Sequence, residues 1–218
     1  MSAKTSELKK IMLREWPDLP LAKLGLILNY HEALLLENEI QNLTTRIEPA
    51  DFFDTHLMDC KHLLESGLLE YPAVDLGSGP GIPGLVCGMV DERQWVLVES
   101  EKRKADFLQR MVETLSCKNI RVFNGRVEVY LRENVGRTQF ESVVSRAVGP
   151  VDRIYGWISK CSTWNNLVLL KGPRWEEEWK KFTSRDRTLS IVQTNELMTG
   201  DRRRQIVKLT RVPRGTKN

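Results

Sequence analysis

The stretch AVDLGSGPGIPG, residues 73–84, sets four glycines and two prolines directly after a short apolar run that carries an aspartate. A tight turn needs one or two glycines. Four, in a segment that two prolines also stiffen, describe a main chain that something approaches closely, because glycine places no Cβ in the way. An apolar strand, a glycine-rich loop and an apolar helix in that order open a parallel α/β unit. In open sheets of this kind ligands settle at the carboxyl ends of the strands, near the point where strand order reverses.

The same texture continues beyond Tyr71. WVLVES, NIRVF, ESVVSRA and NLVLLKG are short apolar runs, and KRKADFLQRMVETLS, a piece near 127–132 and VDRIYGWISKCS carry helical spacing between them. The alternation predicts a mostly parallel sheet with helices on both faces. TLSIVQTNEL and RRRQIVKLTRV alternate with period two about a turn at 199–201, and predict an antiparallel hairpin closing one edge. Ahead of residue 71 the chain reads as helical. SELKKIMLREW spaces Leu8, Ile11, Met12 and Trp16 on one face with Ser6 available as a cap. LAKLGLILNYHEALLLENE repeats Leu21, Leu24, Leu28, His31 and Leu35, and PADFFDTHLMDCKHLLESG runs from Pro49 to Gly67 with helix start and stop chemistry. The expected organisation is a helical extension over 1–70 and one α/β domain over 71–218.

Gly77, Gly79 and Gly81 form G-x-G-x-G, while Gly79, Gly81 and Gly84 also satisfy G-x-G-x-x-G, so the pattern admits a dinucleotide or another adenosine-bearing cofactor. Two features favour the latter. Asp75, at the strand end, is placed to reach the ligand or to orient the loop amides, and its charge would repel a pyrophosphate. Pro80 and Pro83 remove two N–H donors that a pyrophosphate site would use. Glu99, 22 residues after Gly77, is placed to accept from both ribose hydroxyls. S-adenosylmethionine, with a sulfonium and no phosphate, fits all three features.

The net charge of +4 conceals an asymmetry: from Arg185 onward nine Lys/Arg stand against three Asp/Glu, and the remainder is slightly acidic. A basic C-terminal face suits an anionic partner. The 41% hydrophobic content is ordinary for a globular chain, no apolar run reaches a membrane span of about 18 residues, and the N-terminus lacks a signal peptide's apolar core. Cys60, Cys87, Cys117 and Cys161 make no Cys-x-x-Cys pair. A cytoplasmic protein with free thiols and no metal, acting as a monomer, is the expectation.

Several further segments join the loop in a resemblance covering residues 25 to 210. QNLTT, VDLGSGPGIPG, ESEKRKADFL, NGRVEVY, SRAVG and LLKG resemble the motifs of the RsmG (GidB) family, S-adenosylmethionine-dependent guanine-N7 methyltransferases of bacterial 16S rRNA. The resemblance implies a Rossmann-like class I methyltransferase fold with a seven-stranded sheet. It implies cofactor contacts at Gly77 and Ile82, at Glu99 beside the ribose, at Val127 and Glu128 beside the adenine, and at Arg146, the candidate catalytic residue. Arg146 also ends a run of valines, where an unpaired guanidinium is expensive. The family's R-H-[IV]-x-D-S stretch stands here as THLMDC, with Thr55 and Cys60 as departures and His56 and Asp59 retained. If the missing arginine touches RNA elsewhere in the family, another cation must do so here.

Guanine N7 holds an in-plane lone pair and no proton, so methylation there needs no general base, and catalysis rests on in-line positioning. N7 of paired RNA lies in a groove that side chains cannot read, so the target is an unpaired base in small-subunit rRNA or the ribosomal subunit. Lys102–Lys104, Lys171 with Arg174, and Arg202–Arg204 are placed to hold phosphates; each cluster alone is more often a solvated face. Trp175 and Trp179 read as core rather than as base-stacking platforms. Rival readings are a methyltransferase with another acceptor, an NAD-dependent oxidoreductase, and a non-catalytic RNA-binding module.

Overall fold

In the computed structural model of the chain, residues 1–199 and 202–212 are described, Leu197, Thr199 and Arg202 by their backbone alone. The apolar runs form β1 (Ala73–Leu76), β2 (Trp95–Glu99), β3 (Ile120–Asn124), β4 (Phe140–Arg146) and β5 (Trp164–Lys171), followed by β6 (Leu189–Thr199) and β7 (Arg202–Arg211). These described strands make one sheet in the order β3-β2-β1-β4-β5-β7-β6. The first five are parallel, and β7 runs antiparallel to β5 and β6. Within the expected hairpin it is thus β7 that joins the sheet and β6 that forms its edge; Gly200 and Asp201 of the turn lie outside the described residues. Strand order reverses between β1 and β4, which puts the ends of those two strands where a ligand is expected.

Strands covered on both faces are apolar at nearly every position, and β1 and β2 are buried throughout. Their alternate residues enter opposite cores. Ala73, Trp95, Leu97, Val144 and Val168 join one, while Val74, Val96, Val98, Val143 and Leu167 join the other. The first is covered by α5 (Gly84–Asp91) and α6 (Lys102–Thr114), the second by α7 (Val127–Glu133), α8 (Val151–Ile158) and α9 (Trp175–Thr183).

The N-terminal chain forms α1 (Ala3–Glu15), α2 (Leu21–Gln41), α3 (Pro49–Phe52) and α4 (Met58–Glu65), the last two joined by a π-helical turn, Phe53–Leu57. Leu8, Met12, Ile27, Leu34, Phe52 and Leu63 share the first core with the sheet. Helix α2 lies against α5 and α6, and α4 against α5. Sandwiched between these helices and the sheet, α5 is apolar nearly all round. Helix α1 begins earlier than its apolar spacing indicates. Ser2, not Ser6, is the cap: its Oγ accepts the Thr5 amide at 3.2 Å, and the Ser6 hydroxyl donates to the Ser2 carbonyl at 3.0 Å. Ala3, Lys4 and Thr5 tolerate helical backbone, so the helix runs back to the first extended residue with a side-chain acceptor.

The first residue of α5 lies in close contact with the sheet. A Cβ at Gly84 would lie 2.5 Å from Leu97 Cδ2 and 2.6 Å from Asp75 Cβ. Gly84→Ala is expected to cost about 1–3 kcal/mol through overpacking, read as a lower urea midpoint at unchanged m-value. A wild-type midpoint would mean that the sheet accommodates the methyl group.

Candidate active site

From the end of β1 the loop crosses the carboxyl ends of β1 and β2 and enters α5. Gly77, Gly79 and Gly81 adopt φ of 72°, 55° and 107°, where L-residues are strained. At Gly77 a Cβ would also meet Val148 Cγ2 at 2.7 Å, so part of the glycine requirement is internal packing. Every N–H of the loop has an internal acceptor. Gly77 and Ser78 donate to the Val98 carbonyl at 2.9 and 3.2 Å, and Gly81 and Ile82 to the Ser78 carbonyl at 2.8 and 3.3 Å. Gly79 donates to Glu99 Oε2 at 2.9 Å and Gly84 to Asp75 Oδ2 at 2.9 Å, while Pro80 and Pro83 have nothing to donate. No loop amide is left to cradle a pyrophosphate, which is bound through such groups.

Asp75 therefore serves the second of its two possible roles. Its carboxyl lies behind the loop, buried, and holds the α5 amide. Burial, opposed by the Gly84 N–H, pushes its pKa up to about 7. Repulsion of a pyrophosphate by its charge, expected from the sequence, is not its part here: the carboxyl is turned to the Gly84 amide inside the protein, burial favours its neutral form, and the occupied amides discriminate instead. Glu99 accepts Gly79 N–H through Oε2 and Glu101 N–H at 2.8 Å through Oε1, which leaves one lone pair on each oxygen. Beyond it Gly77, Val98, Val127, Glu128, Val148 and Trp157 line a slot at the strand ends. The Ile82 side chain points into the core, so any contact it makes with a ligand is through its main chain. The N-terminal helices brace the loop from behind, where the Tyr30 hydroxyl donates to the Pro80 carbonyl at 2.8 Å.

Arg146, at the end of β4, is pinned by partners from the N-terminal helical region. Its Nε donates to Asp59 Oδ2 at 2.7 Å, and its Nη2 to the Thr55 carbonyl and to His56 Nδ1, both at 3.0 Å. The π-helical turn presents Thr55 and His56 together; such turns recur at functional sites. A guanidinium only donates, so His56 Nδ1 carries no proton, and the Nε2–H donates to Thr44 Oγ1 at 3.1 Å. Burial, with Arg146 and Arg204 adding to it, lowers the His56 pKa to about 3. Arg204 of β7 bonds the same Asp59 oxygen. Next after Arg146, Ala147 sits at φ 59°, a strained backbone beside the site. Trp157 carries no signal in the sequence, and Thr44 and Val148 lie in the shared QNLTT and SRAVG segments without a role of their own. Asp59 is marked by the retained GidB stretch and by the need of a buried guanidinium for a carboxylate, neither of which says that the two meet.

The basic clusters separate once their partners are seen. Lys102 pairs with Asp106 at 2.9 Å and Lys104 with Glu101 at 2.7 Å, both exposed helical pairs. Lys171, expected at phosphates, is instead tied to Glu178 at 2.6 Å and to the Gly149 carbonyl at 2.9 Å. Arg203 pairs with Glu176 and Glu196. Nothing is described of the Arg202 side chain. Trp175 is buried in the core, and the half-buried Trp179 stacks on it at 5.4 Å, so the pair packs internally. A cleft of about 510 Å³ opens beside Arg146, with Asp59, Arg204, Leu170 and Ile206 in its walls.

Residues 23–207 match the family described as rRNA small subunit methyltransferase G, GidB. The chain belongs to that family. Ribosomal RNA small subunit methyltransferase G of Mesoplasma florum is 30% identical over 175 residues, 79% of this chain and 73% of that protein. The enzyme of the same name from Carboxydothermus hydrogenoformans is 33% identical over 162 residues, 73% of this chain and 69% of that protein. Among solved structures, M. capricolum TrmK in complex with S-adenosyl-homocysteine matches at TM-score 0.54 and 9% identity over 70% of this chain and 67% of that one. The human methyltransferase 10 domain containing protein matches at TM-score 0.53 and 11% identity, over 70% and 81%. Both likenesses show the methyltransferase fold. Where the GidB pattern has arginine, the Thr55 hydroxyl donates to Asp51 at 3.3 Å, and Asp51 in turn holds Arg46 at 2.9 Å, so a cation does stand beside that position. Cys60, in place of serine, is a buried free thiol, as are the other three cysteines. Among the described residues no cluster of metal-ligating side chains occurs, and no helix is long and apolar enough to cross a membrane.

The His56 assignment has a direct test. Because its folded pKa lies below the unfolded value, the stability it contributes is complete above pH 6.5 and is lost as pH falls toward 3. Imidazole nitrogen NMR should show one neutral Nε2–H tautomer from pH 8 to pH 5. A midpoint near 6.5 would contradict the bond from Arg146.

Proposed function

We propose that the chain transfers a methyl group from S-adenosylmethionine to N7 of an unpaired guanine in small-subunit (16S) rRNA, acting in the cytoplasm as a monomer. The observation that carries the cofactor reading is the loop whose N–H groups are all occupied internally, which favours an adenosine compound without phosphate. The residues present fit that compound. The remaining lone pairs of Glu99 would accept the ribose hydroxyls, and the Val127 amide and Glu128 carboxylate at the mouth of the slot would take the adenine edge. The main chain at Gly77, Gly79, Gly81 and Ile82 would shape the floor, with Asp75 holding the loop in place. S-adenosylmethionine supplies a methyl group on a positively charged sulfur.

The protein's own task is orientation. N7 methylation asks for no proton acceptor, and the His56 ring is committed through both nitrogens, to Arg146 and to Thr44. Arg146, spanning from the strand end to the cleft wall, would fix the relative position of cofactor and base. Residues 1–70 act in this scheme as an extension that braces the loop and supplies Asp59 and His56 to the site.

Incubation of isolated small-subunit particles with labelled S-adenosylmethionine should place label on one guanine, and mapping of the modified base decides the position. Label in protein or in no component would reject the acceptor. S-adenosylmethionine and S-adenosyl-homocysteine should raise the melting temperature and NAD should not. Arg146→Ala should retain the fold, since Asp59 keeps Arg204, and should lower methyl transfer by about a hundredfold, the scale of a displaced reacting group. Wild-type turnover would remove Arg146 from the reaction.

A further inference from the structure

Asp59 is nearly inaccessible, at 4% side-chain exposure, yet two guanidiniums converge on its single oxygen Oδ2, Arg146 from β4 and Arg204 from β7. His56 beside them is an uncharged acceptor, and Asp75 spends its carboxylate on the Gly84 amide. Two positive charges thus share one negative charge at the inner wall of the cleft. The other cations there are balanced otherwise: Lys171 has Glu178, and Arg203 at the rim has Glu176 and Glu196. A partly buried cation in excess of its counter-ion lacks compensation for lost hydration, and an incoming anion supplies it.

Arg204 differs from Arg146 in what holds it. Arg146 is committed to Asp59, the Thr55 carbonyl and His56, while Arg204 has its bond to the oxygen that Arg146 also uses and is 19% exposed to the cleft. If Arg204 turns outward, Asp59 remains paired. The cleft also has apolar walls, Ala147, Leu170, Pro173 and Ile206, and its volume of about 510 Å³ lies in the range of small-molecule sites. Apolar walls with a guanidinium that can be released match one nucleotide, base against the walls and phosphodiester on the fork.

We infer that Arg204 binds the backbone phosphate of the nucleotide whose base enters the cleft, and that Asp59 holds it ready in the free protein. This rests on the RNA-methyltransferase reading and names the residue that would capture the strand there.

The test measures binding of a short guanine-containing single-stranded RNA to the full-length protein by fluorescence anisotropy across a salt series. One lost phosphate contact lowers the slope of log K against log salt by about 0.7 for a single strand. Arg204→Gln should show that loss together with affinity weaker by about tenfold, the scale of one charge-assisted hydrogen bond. Arg204→Lys should keep the wild-type slope, and Arg203→Gln, already neutralised at the rim, should keep both slope and affinity. The melting-temperature rise with S-adenosylmethionine should be the same in all variants, which separates loss of RNA binding from loss of the cofactor site. Should Arg204→Gln fail to fold, Arg204→Met preserves the stem and carries the same expectation. A wild-type slope in Arg204→Gln, or an equal drop in Arg203→Gln, overturns the assignment. Wild-type labelling of small-subunit particles is measured in parallel, so that failure of the RNA reading is recognised separately.

Discussion

A guanidinium at the end of a buried parallel strand needs a carboxylate to meet it, and here the carboxylate comes from the N-terminal helical region, from α4. The Arg146–Asp59 pair, closed at 2.7 Å, joins β4 to α4 across 87 residues of sequence. Loss of Asp59 would cost more than never having had it, because it would leave Arg146 and Arg204 desolvated without a counter-ion. The pair therefore sets where the helical extension docks. It also dictates the protonation state around it: with Arg146 donating to His56 Nδ1, the ring is confined to one tautomer, and Thr44 is drawn in as its acceptor.

The glycine-rich loop obeys a second constraint, the complete pairing of its backbone. Buried N–H groups must find acceptors. In this loop they find them within the protein: in the carbonyls of Val98 and Ser78 and in the carboxylates of Glu99 and Asp75. That is a different solution from a phosphate cradle, in which the amides wait for the ligand. The two prolines belong to the same arrangement, because the loop has no need of the donors they lack. Close packing completes it, with Gly84 admitting α5 to within reach of Asp75 and Leu97 and Gly77 admitting Val148.

Charge in this protein is informative by position more than by amount. Several members of the basic clusters visible along the chain are paired locally, as in Lys102–Asp106 and Lys104–Glu101, and exposed pairs of this kind contribute little. Lys171 is enclosed by Glu178 and Gly149. What singles out the cleft is a mismatch between two guanidiniums and one carboxylate, brought together from α4, β4 and β7. Arg204 reaches the carboxyl end of the parallel strands, where Arg146 stands, because β7 lies between β5 and β6 and runs against them.

Local patterns were enough to determine the strands, most of the helices, the loop and the acid at residue 99, but not α9 or the π-helical turn that divides the stretch expected as one helix from Pro49 to Gly67. Period-two and period-3.6 spacing and glycine chemistry act over a few residues, and the motifs shared with the GidB family lie within such short segments. The glycine pattern signals a closely approached main chain, while the positive φ at Gly77, Gly79 and Gly81 and the seat of Val148 on Gly77 belong to the folded structure. The role of Asp75 could not be read in advance, since whether a carboxyl at a strand end faces ligand or helix depends on how closely α5 packs. Nor could the partners of Arg146 or the fate of Lys171, because ion pairs across 87 residues or between adjoining elements are chosen by the docking of whole helices and strands. The amino-acid order specified which groups needed a counter-charge; the tertiary arrangement chose which group supplied it, because burial removes water as the alternative partner.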